Sequence, residues 1–242
     1  MSKIVTPYNK KDESKKDQVE DMFDNIAHNY DFLNHLLSAG IDNIWRRKAI
    51  NHIAKYNPTI TMDMASGTGD FAVDTVHRIK LEKLVALDLS EKMLAVGRKK
   101  SAKKGIKNID WVKGDSENLS YKDNTFDAMT VGFGVRNFQN LEKGLSEMRR
   151  VLKNGAPLVV LEVSEPEKFP MKQIFGIHFK FILPFVGKIF SKDDRAYSYL
   201  PESVKVFPKG KEFVKILKKL GFKKVEYKPL TFGICAMYVC EK

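Results

Sequence analysis

Residues 60–70 read ITMDMASGTGD, an apolar run that meets Gly67-Thr68-Gly69 and then a segment of helical character. Two glycines let a backbone turn sharply and leave room for a ligand against the free amides of a helix N-terminus. Gly67, Gly69 and Ala72 fit the spacing G-x-G-x-x-G/A of a nucleotide loop. Asp88 closes the next apolar run, where a carboxylate can accept hydrogen bonds from ribose hydroxyls. On spacing alone a dinucleotide-dependent oxidoreductase is a live reading. Charge argues against it. A dinucleotide sets an anionic pyrophosphate over such a loop, whereas S-adenosylmethionine sets a sulfonium and an ammonium there. Asp63 before the loop and Asp70 after it repel the first and attract the second. Asp115 follows the third apolar run, where a carboxylate can accept from an adenine amino group. Aspartates often cap helices or open turns. Asp63, Asp88 and Asp115 instead stand at the ends of successive expected strands of one parallel sheet, facing the crevice where ligands bind.

Those residues need a scaffold to hold them. From residue 59 onward, short apolar runs alternate with helical segments, the sign of βα units and a parallel sheet. Strands are expected near 60–65, 84–88, 109–113, 126–132 and 157–163, with helices near 70–80, 90–104 and 139–152. An amphipathic helix near 209–220 ends at Gly221. Strands near 222–229 and 233–240 lie too close together for a crossover, so they are antiparallel. The expected fold is α/β: a doubly wound, seven-stranded, mostly parallel sheet with a C-terminal antiparallel hairpin. Ahead of it Val19, Met22, Phe23 and Ile26 recur at helical spacing, and residues 31–47 carry further apolar positions broken at Gly40, which gives two N-terminal helices. Residues 1–16, polar and lysine-rich, read as a disordered tail, and residues 17–242 as a single domain.

Composition narrows the partners less sharply. The formal net charge is +12, but the lysines are spread along the chain, as in Lys99-Lys100 and Lys218-Lys219. No nucleic-acid domain or aromatic platform for a flipped base is readable, so nucleic acid is not an expected partner, although an RNA methyltransferase would also use the charge. His28, His35, His52, His77 and His178 show no metal-ligand spacing; they read as surface or helix residues, and no metal is expected. Cys235 and Cys240 point to opposite faces of one expected strand, which argues against a disulfide. Without a readable signal or span, the cytoplasm is the expected compartment. Residues 169–190 combine Phe175, Phe179, Phe181, Phe185 and Phe190 with Lys172, Lys180 and Lys188. They read either as an ordinary core and homodimer-contact helix, or as an apolar wall for a lipid tail with lysines near an anionic membrane surface.

From about Val19 to its end the chain resembles the ubiquinone/menaquinone biosynthesis C-methyltransferase family. One signature is matched by Tyr30-Asp31, Asn34, Ser38 and Trp45, and a second by Arg150-Val151-Leu152-Lys153, Gly155 and Glu162-Val163-Ser164. Residues 133–137 (FGVRN), 197–203 (YSYLPES) and 232–236 (FGICA) look like further landmarks. The chain departs from the family at Leu33 (usually methionine), Asp42 (usually histidine), Asn154 and Ala156 (usually proline and glycine), and Gly132, a cofactor-contacting serine in many relatives. The resemblance implies the class I S-adenosylmethionine methyltransferase fold. Asp63, Gly67, Thr68, Gly69, Asp88, Asp115 and Ser116 are the expected cofactor residues. It also implies a prenylated quinol as acceptor, closer to demethylmenaquinol than to a ubiquinone precursor, and an enzyme that touches the inner face of the membrane in passing.

A hydroquinone hydroxyl has a tyrosine-like pKa of about 10, and ionising it makes the adjacent ring carbon nucleophilic. Arg136 in FGVRN is the expected stabiliser of that phenolate, directly or through water. Tyr30, Asp31, Tyr197 and Tyr199 are candidates for lining or polarising the ring, although tyrosines of this kind usually pack and satisfy one hydroxyl bond.

Overall fold

A computed structural model describes residues 5–38, 40–182 and 194–242. Its centre is one sheet of β1 (Ile60–Met64), β2 (Lys83–Asp88), β3 (Ile109–Lys113), β4 (Ala128–Gly132), β5 (Pro157–Val163), β6 (Lys223–Leu230) and β7 (Cys235–Glu241). The order is β3-β2-β1-β4-β5-β7-β6. β1 to β5 run parallel, and β7 lies antiparallel between β5 and β6. The winding reverses between β1 and β4, which opens a crevice at their C-terminal ends. Around the sheet stand α1 (Lys15–Ile26), α2 (Tyr30–Ser38), α3 (Asp42–Ile53), α4 (Asp70–Arg78), α5 (Glu91–Lys103), α6 (Leu141–Val151), α7 (Met171–Ile177), α8 (Asp194–Val206) and α9 (Lys211–Lys219).

The strands are apolar on both faces because helices cover both. Met62, Met64, Val85, Leu87, Met129 and Val131 pack with Leu145 and Met148 of α6 and Phe213 and Leu217 of α9. On the opposite face, Val159 and Leu161 pack with Ala49, Ile50 and Ile53 of α3. Each fully buried isoleucine there contributes about 1.5–3 kcal/mol relative to exposure. Cys240 belongs to the first face and Cys235 to the second; both thiols are free and buried. Side-chain caps fix three helix starts: Ser14 accepts from Asp17 N, Ser90 from Met93 N, and Asn140 from Lys143 N.

The differences from expectation lie outside the βα core. Three α-helices precede β1 rather than two, because Gly40, at φ +75°, separates α2 from α3. α1 starts at Lys15, inside the stretch expected to be a disordered tail. Gln18 holds the preceding residues to it, accepting from Tyr8 N at 3.1 Å and donating to Lys10 O at 2.9 Å. α8 has no counterpart in the sequence reading, since Pro201 inside it is a helix-breaking signal that the surrounding packing overrides. The 169–190 segment begins as α7 and continues as a π-type turn over His178–Ile182; Phe185, Lys188 and Phe190 lie outside the described residues.

Candidate active site

The crevice holds two cavities. A narrow one of ≈ 60 Å³ runs from Gly67 past Asp88 to Asp115 and Ser116. A wide one of ≈ 530 Å³ is bounded by Trp45, Asp63, Phe71, Arg136 and Phe175. Tyr30, Ala65, Gly67, Gly132 and Phe133 stand on the walls of both. Ala65 and Phe133 carry positive φ angles of 51° and 59°. Such conformations cost on the order of 1 kcal/mol or more for non-glycine residues and cluster at functional sites. Here they lie where the loops after β1 and β4 separate the two cavities.

The glycine loop is anchored from behind. Asp88 accepts from Gly67 N at 2.7 Å and from Ser90 N at 2.9 Å, and burial pushes its carboxyl up to about 6. Thr68 donates its hydroxyl to Asp31, whose other oxygen lies 2.7 Å from the Lys100 ammonium. Asp31 therefore braces the loop and is not on either cavity wall, contrary to its expected place beside the ring. Gly69 is also off both walls. A Cβ there would sit 2.1 Å from the Trp111 ring, so close approach to β3 requires glycine. Asp63 does reach the wide cavity. Its Oδ1 accepts from Thr130 Oγ1 at 2.8 Å, whereas Oδ2 is buried with no hydrogen-bond partner among the described residues. Burial pushes this carboxyl up to about 7.

A cationic cofactor fits these residues. The Asp63 oxygen offers an acceptor for its ammonium, and Asn137 Oδ1 in the narrow cavity and Ser66 Oγ in the wide one are likewise buried and without a partner among the described residues. Asp115 and Ser116 lie at the far end of the narrow cavity. Asp115 accepts from Glu117 N at 2.9 Å and pairs with Lys16 at 3.1 Å.

Lys16 belongs to α1, which roofs the narrow cavity with Val19 and Phe23. The roof is fastened by Lys15, which donates to the carbonyls of Arg136 and Phe138 at 2.9 and 3.0 Å. Burial, and next the Arg136 charge, push the Lys15 ammonium down to about 8. Asp24 accepting from Ser90 Oγ at 2.5 Å and Glu20 pairing with Lys113 at 2.7 Å add two further fasteners. Composition hid these lysines, because a lysine-rich stretch reads as solvated; the helical recurrence that starts at Val19 was the available signal.

In the wide cavity Arg136 is committed to Glu162. Its Nη1 lies 2.9 Å from Glu162 Oε2 and donates also to Phe133 O, and its backbone N–H donates to Glu162 Oε1. The side chains are 9% and 1% exposed. Burial raises the Glu162 carboxyl although Arg136 acts downward. Arg136 Nε is buried with no partner among the described residues. Tyr30 lines both cavities, edge-on to Phe23 with ring centroids 5.9 Å apart. Tyr199 is packed with Met22 and Met93, its hydroxyl without a partner among the described residues and raised by burial. Tyr197 is on α8, its side chain outside the described residues. At Gly132 a Cβ would meet Phe71 Cδ2 at 3.0 Å, so the Phe71 ring occupies the room that a serine would need.

One cluster at the rim of the wide cavity went unread in the sequence. Asp42 and Asp70 line the cavity, and His35 lies 3.3 Å from each, through Nδ1 and Nε2 respectively. Asp42 also accepts from Ser38 Oγ at 2.7 Å and Arg46 Nη1 at 2.5 Å. Burial acts upward on its carboxyl, but Ser38 and Arg46 outweigh it and hold it below the usual range. Lys100 grips Asp70. Asp42, which departs from the family's usual histidine, thus has an imidazole beside it from α2. No spacing signal could reveal a cluster drawn from α2, α3, α4 and α5.

Comparison with known proteins agrees with this geometry. Residues 10–242 match the model of the ubiE/COQ5 methyltransferase family. The chain is 51% identical over 239 residues to a demethylmenaquinone methyltransferase of Bacteroides fragilis, covering 98% of this chain and 97% of that one. It is 40% identical over 237 residues to a demethylmenaquinone methyltransferase of Porphyromonas gingivalis, covering 97% and 96%. A putative S-adenosyl-L-methionine-dependent methyltransferase of Methanococcus maripaludis superposes with a TM-score of 0.64 at 20% identity, over 91% of this chain and 94% of that one, which shows a shared fold. With a glycine loop, strand-end acids and a winding reversal in the arrangement such a fold requires, the chain belongs to the ubiE/COQ5 family of S-adenosylmethionine-dependent methyltransferases.

Proposed function

We propose that this enzyme methylates a ring carbon of demethylmenaquinol, the step that yields menaquinol. The observation that carries the reading is the pair of cavities meeting at Tyr30, Ala65, Gly67, Gly132 and Phe133, the narrow one running past the strand-end acids Asp88 and Asp115 and the wide one walled by Trp45, Phe71, Ile174, Phe175 and Phe179, with the buried acceptor Asp63 on the wide one. The names of the Bacteroides and Porphyromonas relatives narrow the acceptor to demethylmenaquinol.

When bound, S-adenosylmethionine supplies an electrophilic methyl group whose transfer is an in-line displacement. Asp63 would hold the ammonium, Asp88 the ribose, and Asp115 with Ser116 the adenine, while Gly67 and Thr68 shape the loop. Tyr30 and Phe133, on the shared wall, align the ring with the methyl group and exclude water. Arg136 favours the ionised hydroxyl through its remaining Nε–H, and Glu162 keeps that arginine in place.

The prenyl tail leaves the wide cavity toward α7. Phe169 is 81% exposed and Phe232 79%, with Ile177 and Phe181 also exposed and Lys168, Lys172 and Lys180 close by in sequence. Among the described residues no helix is long and apolar enough to cross a membrane. These features support transient docking of α7 on an anionic leaflet, where the substrate dissolves, and a homodimer contact would compete for the same surface.

Labelled methyl transfer against demethylmenaquinol, a demethylated ubiquinol precursor and bulk RNA tests the assignment. Label enters demethylmenaquinol fastest. Preferential labelling of the ubiquinol precursor moves the enzyme to the other branch, and labelling of RNA removes the quinol reading.

A further inference from the structure

C-methylation of a quinol releases a proton that must leave the cavity. The bond between sulfur and the methyl carbon breaks with its electron pair staying on sulfur, and a carbon–carbon bond forms from the ring electrons. The C–H bond at that ring carbon then breaks, its pair returns to the ring, and one proton is released per turnover. Arg136 cannot take it, because a guanidinium stays protonated.

The rim cluster has the composition of a proton exit. Asp42 and Asp70 stand on the cavity wall, and the His35 imidazole bridges them at 3.3 Å on each side. Its Nδ1 is buried and makes no hydrogen bond in this arrangement, while the side chain as a whole is 42% exposed. Both ring nitrogens therefore face acids, and of the two Asp42 is 8% exposed and Asp70 27%, so the route to solvent runs through Asp70. Among the described residues the ion pairs of the two carboxylates bring in Arg46 from α3, Asp74 from α4, Lys100 from α5 and Asp31 from α2. Arg46 and Lys100 fix the two carboxylates, so they reorient little. A carboxylate held below its usual range by Ser38 and Arg46 passes a proton on rather than keeping it, and an imidazole has two nitrogens, one able to accept while the other donates.

We propose that His35 is a proton relay, accepting at Nδ1 through Asp42 the proton released by ring methylation and passing one from Nε2 through Asp70 to solvent. His35 does not touch the ring; it is a positioning and relay residue that acts through the two wall carboxylates. The proposal rests on the quinol reading, and wild-type turnover of the quinol tests that reading by itself, so the relay is judged only on the ratio of variant to wild type.

The test compares wild type, His35→Ala and His35→Asn in single-turnover methyl transfer at low buffer concentration, with and without added imidazole. Cofactor affinity measured by calorimetry serves as the check on folding. The expected result is a methyl-transfer rate lowered about 10²-fold in both variants at unchanged cofactor affinity. Imidazole should restore His35→Ala several-fold, and the rate should rise with buffer concentration only in the variants. Wild-type rates in the variants, or a loss that neither imidazole nor buffer relieves, would overturn the relay and leave His35 as a tie between α3 and α4.

Discussion

The cofactor end and the acceptor end of this crevice are built on opposite plans. Around the narrow cavity the acids Asp88 and Asp115 come from the ends of adjacent strands, and backbone amides fix them: Gly67 N and Ser90 N on Asp88, Glu117 N on Asp115, which Lys16 of α1 also reaches. Around the wide cavity the paired side chains come from α2, α3, α4, β5 and the loop after β4, and other side chains fix them, as in Arg136–Glu162 and Asp42–Arg46. Backbone anchoring suits a constant ligand, since it survives changes of side chain. Side-chain pairing lets acceptor chemistry diverge on the same sheet, at the cost that breaking one partner strands another.

The largest effect should follow from that last property. Arg136→Ala leaves Glu162 buried and uncompensated, which costs about 3–5 kcal/mol of stability, and kcat should fall by roughly 10²–10³-fold if the guanidinium also stabilises the phenolate. The double variant Arg136→Met/Glu162→Gln separates the two effects. Thermal denaturation should recover most of the stability while kcat stays low; recovery of kcat would make Arg136 purely structural.

At the cofactor end the expected loss is smaller. Asp88→Ala removes a ribose acceptor and the brace on Gly67, and calorimetry should register a loss of about 2 kcal/mol in cofactor affinity, roughly thirtyfold. An unchanged affinity would remove Asp88 from the binding site. Asp63 adds a pH signature. Its carboxyl, ordinarily at 3.8, is pushed up to about 7, and Asp88 to about 6. Between roughly pH 4 and 7 the folded protein thus binds protons that the unfolded chain does not, so these groups make the cofactor-free fold more stable as pH falls and less stable as it rises through that window. Cofactor affinity should run the other way and weaken below about pH 7, because the ammonium needs the ionised acid. Asp63→Asn should flatten both trends in Tm and Kd; a variant that keeps the wild-type slopes would place the titration elsewhere.

The smallest effect per substituted residue is expected for the lysines of the 169–190 segment. Changing Lys172, Lys180 and Lys188 to glutamine should weaken cosedimentation with anionic liposomes by about 1 kcal/mol per lysine, and salt should screen the difference. If wild type ignores such liposomes at low salt, docking through α7 is wrong.

The same contrast explains what could be read from residues in order. The strand, glycine loop and helix of residues 60–78 were legible because their constraints are local: an apolar run, a tight turn and a period of 3.6. The antiparallel β6–β7 pair was legible from the few residues that join it. Asp31 was misplaced because its partners, Thr68 and Lys100, are remote in sequence. Lys15 and Lys16 were assigned to a tail because a lysine carries no mark of whether its ammonium meets water or a carbonyl. His35 read as a surface or helix residue and stands on α2 at 42% exposure, but only the packing of α2 against α3 and α4 sets two carboxylates beside it.

Where the methyl group lands tests the central claim most directly. After turnover of demethylmenaquinol with cofactor carrying a deuterated methyl group, mass spectrometry and carbon NMR of the extracted product locate the label. The account predicts one CD3 group on a ring carbon, with loss of the ring hydrogen from that position. Label on a quinol oxygen, or a quinol that remains unlabelled while the cofactor is bound, would contradict it.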